Sequence, residues 1–454
     1  MQKKHFYLSA NPARVIAGSF LGVIITGTLL LMLPLSAKNG AVTNFFDALF
    51  TATSATCVTG LIVVDTYTHW TFFGQGVILS LIQIGGLGLV TLTLFFNLLI
   101  RRKLGLRTLQ LAQESTSASN FEDTPRLLRG IVGISLTVEA IGAVLLLPAF
   151  VPKYGMEGIF ISVFTSVSAF CNAGFDLLGR EGPYSSLIHY NGSYVLLVVS
   201  ALIIIGGLGF MVLFDLLHYH KSKKLRLHSR VVLLSTACLL FIGTLGFAAL
   251  EWHNPATMGN LPVWQKLNAA FFQSVSTRTA GFNSIDIASM NEISKVLSIG
   301  LMFIGAAPGS TGGGIKVTTI VVLIMTAVSV ARGYDDTIIM KHKIKRQVVN
   351  KSLTVVFIGF LAVLLASGVI IYTTHDGGVT ASTVDALFES TSAFATVGLS
   401  SGITAFANLP SKLLLIATMF LGRIGPISFL LSLAAGSGKV NRKQVMPEGH
   451  LNVG

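Results

Sequence analysis

The segment "FFDALFTATSATCVTGL", residues 45–61, is apolar but shorter than the roughly 20 residues that a helix needs to cross a bilayer. It lies between two longer apolar runs and ends with a glycine, Gly60. Three segments of the same form follow: "IFISVFTSVSAFCNAGF" (159–175), "KLNAAFFQSVSTRTAGF" (266–282) and "STVDALFESTSAFATVGL" (382–399). Aligning Gly60, Gly174, Gly281 and Gly398 also aligns Phe50, Phe164, Phe271 and Phe388. The chain therefore carries four copies of one unit.

The composition indicates an integral membrane protein. Of 454 residues, 52% are hydrophobic and 11% are charged, and the mean hydropathy is +0.73. Apolar runs of spanning length lie near 13–35, 73–100, 126–149, 193–218, 229–250, 293–330, 347–373 and 411–435. They predict an all-α membrane protein with eight transmembrane helices. No signal-peptide pattern precedes the first run, so we expect that run to act as the insertion signal.

Each copy then reads as a span, a short pore helix, a glycine loop and a second span. The predicted repeats cover residues 1–125, 126–228, 229–346 and 347–454, the last with a cytosolic tail. Most Lys and Arg residues lie at the two termini and in the segments between copies, such as "RRKLGLR" and "KSKKLRLHSR". By the positive-inside rule, both termini are cytoplasmic and the four repeats are parallel. Parallel repeats predict pseudo-fourfold symmetry around one central pore.

The same charge distribution accounts for the net charge of +13 without a nucleic-acid partner. The basic cytosolic loops suit either anionic membrane lipid or an acidic partner surface. The outer side carries acids that would concentrate cations, although ordinary solvated loops depleted of Lys and Arg would look alike. These acids are Asp47, Asp65, Asp176, Asp286, Asp385 and Glu389.

The glycine loops predict an ion-selectivity filter. The short helices direct the partial negative charge of their C-terminal ends toward the middle of the membrane. Irregular backbone at that depth must line a protein-enclosed or water-filled path, and glycine allows carbonyls to face one axis and replace the hydration shell of a monovalent cation. Close helix packing is the alternative. The filter residues are Val58, Thr59, Gly60, Asn172, Ala173, Gly174, Thr279, Ala280, Gly281, Thr396, Val397 and Gly398.

A second glycine-rich stretch, "GAAPGSTGGGIK" (305–316), interrupts the second span of the third copy. Pro308 and the five glycines between 305 and 314 cannot sustain a helix, so we predict an intramembrane gate loop on the cytosolic side of the filter. A passive kink for packing is the alternative. A nucleotide-binding P-loop is excluded because "GIKV" replaces G-K-[ST]. The predicted gate residues are Gly305, Gly309, Ser310, Thr311, Gly312, Gly313 and Gly314, with Arg423.

Arg423 is a charge inside an apolar segment, and such residues usually face the protein interior and have a partner. We assign it to gating, with a structural tie to backbone carbonyls as the alternative. The role of Lys316 stays open, because its side chain can equally snorkel. The cysteines Cys57, Cys171 and Cys238 lack metal or disulfide spacing and are expected to be small buried hydrophobes.

Four repeats of span, pore helix and span, with one glycine per loop, resemble the Trk/Ktr/HKT superfamily of potassium transporters, and most of all the membrane subunit of a bacterial Ktr system. The four glycines match the family's filter positions, and Gly60 follows the potassium pattern because sodium-selective plant members have serine there. The family's gate loop and pore arginine match residues 305–314 and Arg423. Every copy differs from the potassium-channel signature TVGYG, most nearly matching it in "TVGL".

The resemblance implies potassium bound at the filter carbonyls, sodium-stimulated uptake, a homodimer in the cell membrane and a cytosolic nucleotide-binding regulatory ring. It implies no covalent cofactor, with sodium as a second ion and nucleotide bound only by the partner. The sequence therefore predicts channel-like potassium uptake by a protein that is not an enzyme. An alternating-access symporter coupled to sodium or protons is the alternative.

Overall fold

The computed structural model describes residues 12–88, 124–182, 184–375 and 382–433, and it is mostly helical. The first quarter contains α1 (Pro12–Leu31), the short helix α2 (Phe45–Thr56), one turn α3 (Thr66–His69) and α4 (Phe72–Leu87). The second contains α5 (Thr124–Tyr154), the short helix α6 (Glu157–Phe170), α7 (Val195–Gly207) and α8 (Phe210–Ser222). Single 3-10 turns lie at Pro34–Ser36, Ile188–Tyr190 and Thr404–Phe406.

The third and fourth quarters repeat this order. The third contains α9 (Leu227–Glu251), the short helix α10 (Val263–Ser276), α11 (Glu292–Phe303) and α12 (Val317–Ala331). The fourth contains α13 (Arg346–His375), the short helix α14 (Thr383–Ala395), α15 (Leu409–Ile424) and α16 (Pro426–Leu433). Between them, β1 (Ile338–Ile339) and β2 (His342–Lys343) form a small antiparallel hairpin.

The hairpin is an addition to the expected all-helical chain. Met340 and Lys341, which join the two strands, both have positive φ angles, of 45° and 66°. Positive φ at both central residues is the geometry of the tight type I′ hairpin turn. The sequence "IIMKHK" lacks the Asn-Gly or Asp-Gly pair that usually announces such a turn, so the pattern did not predict it.

Only the first helix of each quarter is a single helix of spanning length and apolarity among the described residues. These four helices are α1, α5, α9 and α13, and the bent pair of α7 and α8 makes a fifth candidate span. The second helices are interrupted. Gly209, with φ of 88°, separates α7 from α8, which are bent by 99°, and Gly425, with φ of 90°, separates α15 from α16. The apolar runs near 193–218 and 411–435 are therefore not continuous helices, because glycine at positive φ stops the helical hydrogen-bond ladder.

The short helices lie at the centre of the packing. Each packs against the first helix of its own quarter and against the second helix of the preceding quarter. These latter pairs are α4 with α6, α7 with α10, α11 with α14, and α15 with α2. The pair α15 with α2 joins the last quarter to the first. The aligned residues Phe50, Phe164 and Phe388 are fully buried on these helices, whereas Phe271 is partly buried. The four loops that follow the short helices are thereby held close together.

Candidate functional site

The four aligned glycines meet in a closed ring. Gly60, Gly174, Gly281 and Gly398 all have positive φ angles, between 70° and 94°. A Cβ atom at each would lie 2.1–2.9 Å from a carbonyl oxygen of the next loop. These oxygens belong in turn to Ala173, Ala280, Val397 and Thr59. Any side chain would therefore strike the neighbouring backbone, which accounts for glycine at these positions.

A second recurrent feature lies two residues before each glycine. Val58, Asn172, Thr279 and Thr396 have φ angles of 57°, 59°, 73° and 51°. Non-glycine residues rarely adopt positive φ, and such strain persists only where the surrounding structure enforces it. All four side chains are fully buried. The structure thus brings all twelve predicted filter residues together. In each of the four loops, the glycine and the residue two positions before it have positive φ angles.

Serines near the end of the short helices hold these loops, a feature that the sequence analysis did not single out. Ser54 Oγ accepts from Gly60 N, and Ser392 Oγ accepts from Gly398 N, both at 3.1 Å. Ser168 Oγ donates to Phe175 O at 2.6 Å, and Ser276 Oγ donates to Phe282 O. Serine recurs five or six residues before each glycine, so the signal was present in the aligned copies.

Ion pairs at equivalent positions join two of the four interfaces between quarters. Lys295 Nζ of α11 lies 2.8 Å from Asp385 Oδ1 in the first turn of α14. Lys412 Nζ of α15 lies 2.7 Å from Asp47 Oδ1 in the first turn of α2. Both lysines lie fourteen residues after the ring glycine of their own quarter. Two of the acids expected on the outer face are therefore already neutralised.

The prediction that Glu389 contributes to an outer acidic face is wrong. Its side chain is fully buried behind the fourth loop. Ser401 N donates to Glu389 Oε1 at 3.0 Å, and Thr404 Oγ1 donates to Oε2 at 2.8 Å. The carboxylate therefore holds the segment that follows Gly398 rather than attracting ions from solution.

Asp65 and Asp176 follow the first two ring glycines, Gly60 and Gly174, by five and two residues. Asp65 accepts hydrogen bonds from Thr68 N at 2.8 Å and from Tyr184 N at 3.2 Å. Burial raises the pKa of the Asp176 carboxyl to about 6, and the negative charge of Asp65 acts in the same direction. This carboxyl therefore takes up a proton at a higher pH than an ordinary aspartate does.

The predicted gate loop forms the break between α11 and α12 and lies against the ring loops. Its two ends pair, because Gly305 N donates to Ile315 O at 2.8 Å. Gly313 N donates to Thr396 Oγ1 at 3.1 Å, and Thr311 Oγ1 donates to Phe170 O at 3.1 Å. The loop thus contacts both the fourth ring loop and the end of the second short helix.

Further backbone hydrogen bonds join the loop to the break between α7 and α8. Ala307 N donates to Gly207 O at 3.0 Å, Thr311 N to Gly206 O at 3.3 Å, and Phe210 N to Gly309 O at 3.0 Å. Ser310 instead forms a local turn, with its Oγ donating to Ala307 O at 2.6 Å. A Cβ at Gly312 or Gly313 would strike the hydroxyl of Thr279 or Thr396, and Gly314 has a φ of 67°. The structure therefore places all seven loop residues of the predicted gate in one segment beside the ring.

Arg423 and Lys316 both bind carbonyls of this loop. Arg423 donates through Nη1 to Thr311 O and through Nη2 to Gly85 O, so it joins α15, the loop and α4. Lys316 Nζ donates to Gly312 O at 2.7 Å and to Gly313 O at 3.3 Å. Neither side chain belongs to an ion pair within the described residues.

A cavity of about 390 Å³ lies beneath the loop. It borders helices of the first, second and fourth quarters and the loop of the third, and its charged lining residues in the described part of the chain are all basic. These are Lys316, Lys351 and Arg423. The loop residues Gly309, Ser310 and Gly312 line this cavity, and none of the twelve predicted filter residues does.

A family model described as TrkH, cation transport protein, matches residues 3–443. The chain belongs to the TrkH family of cation transport proteins. The superfamily resemblance predicted from the four loops is thereby confirmed. Within this family, the chain is 40% identical over 425 residues to the Ktr system potassium uptake protein B of Bacillus subtilis, covering 93% of each chain. It is 37% identical over 455 residues to the potassium/sodium uptake protein NtpJ of Enterococcus hirae, covering 100% of each.

The solved structure of the potassium transporter TrkH from Vibrio parahaemolyticus resembles this TrkH-family chain with a TM-score of 0.73 at 19% identity. The match covers 96% of this chain and 87% of that one, and it shows a shared fold. The named relatives are transport proteins of the membrane rather than enzymes.

The expectation that all three cysteines are buried is wrong for one of them. Cys57 and Cys171 are buried, but Cys238 is exposed on α9.

Proposed function

We propose that this protein takes up potassium across the cell membrane through one channel-like pore, with the glycine ring as its selectivity filter. The observation that carries the proposal is the closed ring of Gly60, Gly174, Gly281 and Gly398, in which each loop approaches a carbonyl of the next. Backbone carbonyls arranged around one axis replace the hydration shell of potassium. The short helices end directly before these loops, so their partial negative charge favours a cation there.

The proposed architecture has eight transmembrane helices in four parallel repeats with pseudo-fourfold symmetry. Four of the spans are the long first helices, and the other four are the interrupted second helices. The recurrent order of elements and the contact of α15 with α2 support this arrangement. The basic segments between repeats support cytoplasmic termini in a multi-pass protein.

Residues 305–314 and Arg423 form the proposed gate, which is closed in this conformation. The loop contacts the fourth ring loop and also lines the cavity, and Arg423 ties it to α4. A fixed positive charge at this position repels potassium, so both the backbone and the charge oppose conduction.

The proposed partners follow the names and family of the relatives. The relative from Bacillus subtilis is one protein of a Ktr system, which supports a separate cytosolic nucleotide-binding regulatory subunit for this chain and a homodimer in the membrane. The basic cytosolic loops suit that subunit or anionic lipid. The relative named as a potassium/sodium uptake protein supports sodium as a stimulating or transported ion.

An alternating-access symporter remains the second candidate, because broken helices at the middle of the membrane are typical of such transporters and α7 bends from α8 by 99°. Potassium flux into proteoliposomes of the purified protein, measured with and without sodium, distinguishes the two. A pore predicts flux that continues without sodium or a proton gradient and follows the potassium gradient. Flux in a fixed ratio to sodium or protons would overturn the proposal of a pore.

A further inference from the structure

The side chain of Lys316 occupies an unusual position for a lysine at the end of a membrane loop. It turns back on its own segment, so that the ammonium lies 2.7 Å from Gly312 O and 3.3 Å from Gly313 O. The preceding carbonyl, that of Thr311, accepts from Arg423. Three consecutive carbonyls of the loop therefore each face a cation supplied by the protein.

These carbonyls are free to serve as ligands because the loop is not helical. Among the described residues, no backbone N–H donates to the carbonyl of Gly312 or Gly313, so Lys316 satisfies both. Gly314, with a φ of 67°, turns the chain directly after this pair. Neighbouring carbonyls that point to one position are the ligands by which proteins hold potassium.

An ammonium group resembles a potassium ion in charge and size, and it approaches carbonyl oxygens at similar distances. Lysine carries this group on a flexible stem with four carbons. The cavity of about 390 Å³ beneath the loop is lined by both Gly312 and Lys316, so the side chain has room to leave the carbonyls without moving the backbone. An exchange of the ammonium for a potassium ion conserves the charge at the carbonyls.

We propose that the carbonyls of Gly312 and Gly313 form a potassium site below the glycine ring, and that the ammonium of Lys316 occupies it as a tethered substitute ion. The inference rests on the proposed pore, because potassium reaches the loop only through the ring. In the conformation described, Lys316 excludes potassium from this site. Conduction then requires the side chain to exchange with the ion and to move into the cavity.

The test compares Lys316→Met with Lys351→Met in the purified full-length protein. Both variants remove one lysine charge from the same cavity, but no hydrogen bond joins Lys351 to a loop carbonyl among the described residues. Rubidium serves as the probe in equilibrium binding. We expect Lys316→Met to bind one more rubidium ion per chain than the wild type. We expect Lys351→Met to match the wild type.

Anomalous diffraction from rubidium-soaked crystals then locates the added ion, which we expect beside Gly312 O and Gly313 O. Lys316→Gln provides a second, polar variant in case Lys316→Met fails to fold. If a folded Lys316 variant, shown by thermal melting, binds no more rubidium than the wild type, Lys316 is only a clamp within the loop and the inference is overturned. An equal gain in Lys351→Met would also overturn it, because charge in the cavity alone would explain the result.

The same titration separates this inference from the proposed function. If the wild type binds no rubidium at all, the filter itself is in error. If the wild type binds rubidium and the Lys316 variants add nothing, the pore stands and only the site at Gly312 and Gly313 is lost.

Discussion

The glycine ring makes a graded prediction for four alanine variants. A Cβ at Gly398 would lie 2.1 Å from Thr59 O, whereas real Cβ atoms essentially never approach within 3.0 Å. The neighbouring loop must therefore move by about 0.9 Å, the difference of 3.0 and 2.1 Å. For Gly281, Gly60 and Gly174, the corresponding approaches are 2.4, 2.5 and 2.9 Å. The displacement of the ring thus falls in the order Gly398, Gly281, Gly60, Gly174.

Gly402 provides a matched control. Its φ angle of 99° is close to the 94° of Gly398, but a Cβ there would meet nothing within 4 Å. Alanine at either position carries the cost of positive φ, about 1–2 kcal/mol. Gly398→Ala and Gly402→Ala should therefore lose similar backbone stability, and only Gly398→Ala should displace a filter carbonyl.

The expected loss of selectivity follows from the displaced oxygen. A contact between a polar group and a charge contributes about 1.5–3 kcal/mol, and each 1.4 kcal/mol corresponds to a factor of about ten. We expect Gly398→Ala to reduce the preference for potassium over sodium about tenfold or more. Gly174→Ala should reduce it least among the four, and Gly402→Ala should leave it unchanged.

The assay measures uptake of rubidium and of sodium in proteoliposomes, with protein content and melting temperature determined for each variant. The ratio of the two uptake rates reports selectivity independently of the amount of folded protein. Equal ratios for Gly398→Ala and Gly402→Ala would refute the reasoning, because backbone strain alone would then account for both. A larger loss in Gly174→Ala than in Gly398→Ala would refute the geometry of the ring.

Four further predictions address the filter, the gate, the ion pair of Lys295 with Asp385, and the regulatory partner. Gly60→Ser should weaken discrimination of potassium over sodium, and unchanged relative uptake in a potassium-uptake-deficient host would remove Gly60 from the filter. Deletion of residues 309–313 should raise flux because it removes the obstruction, whereas zero flux from folded protein would make the loop a required structural element. Lys295→Ala should lower the free energy of unfolding by about 1–3 kcal/mol, because it leaves the half-buried carboxylate of Asp385 without its ion-pair partner. The double variant with the reversed pair, Lys295→Asp with Asp385→Lys, should regain part of that loss in thermal melting. Neutralising the four residues of one basic cluster should weaken co-purification of a nucleotide-binding subunit and make flux independent of nucleotide, without altering ion selectivity. A mutant that keeps its partner and its nucleotide response would assign this cluster to lipid binding. That cluster is Lys341, Lys343, Lys345 and Arg346.

The sequence predicted the glycine loops of the ring because the pattern lies within one short segment and occurs four times in the chain. Each glycine is preceded by the same short apolar helix, so the alignment of Gly60 with Gly398 already placed twelve residues in register. The breaks at Gly209 and Gly425 were missed because a single glycine in an apolar run is also common in continuous transmembrane helices. Only the positive φ at these residues distinguishes a break from a packing position.

The contacts that the sequence did not reveal depend on how the chain turns after a loop. Glu389 looked like an outer acid because its segment was predicted to enter from the outer side, but its donors come from Ser401 and Thr404, beyond the loop that contains Gly398. The role of Lys316 stayed open, because nothing in the spacing shows that its side chain turns back on Gly312. By contrast, the pairing of Lys295 with Asp385 was open to prediction, since Lys295 and Lys412 share one repeat position and so do Asp385 and Asp47.

The energy that holds the loop in place bears on how a partner could open it. Hydrogen bonds to α6, α7, α8, α15 and the fourth ring loop hold residues 307–313, and six such bonds are described. At about 0.5–1.5 kcal/mol each, their sum is about 3–9 kcal/mol before any entropy gained by the released loop is subtracted. Shifting a two-state element from almost fully closed to almost fully open requires about 5.5 kcal/mol of differential binding. The two quantities are of the same order, so a regulatory subunit that binds the open form preferentially can supply the whole difference. Because the bonds come from the second and fourth quarters of the chain, a movement of α7 and α8 alone removes only the three at Gly206, Gly207 and Gly309. Opening therefore requires that Arg423 release Thr311 as well.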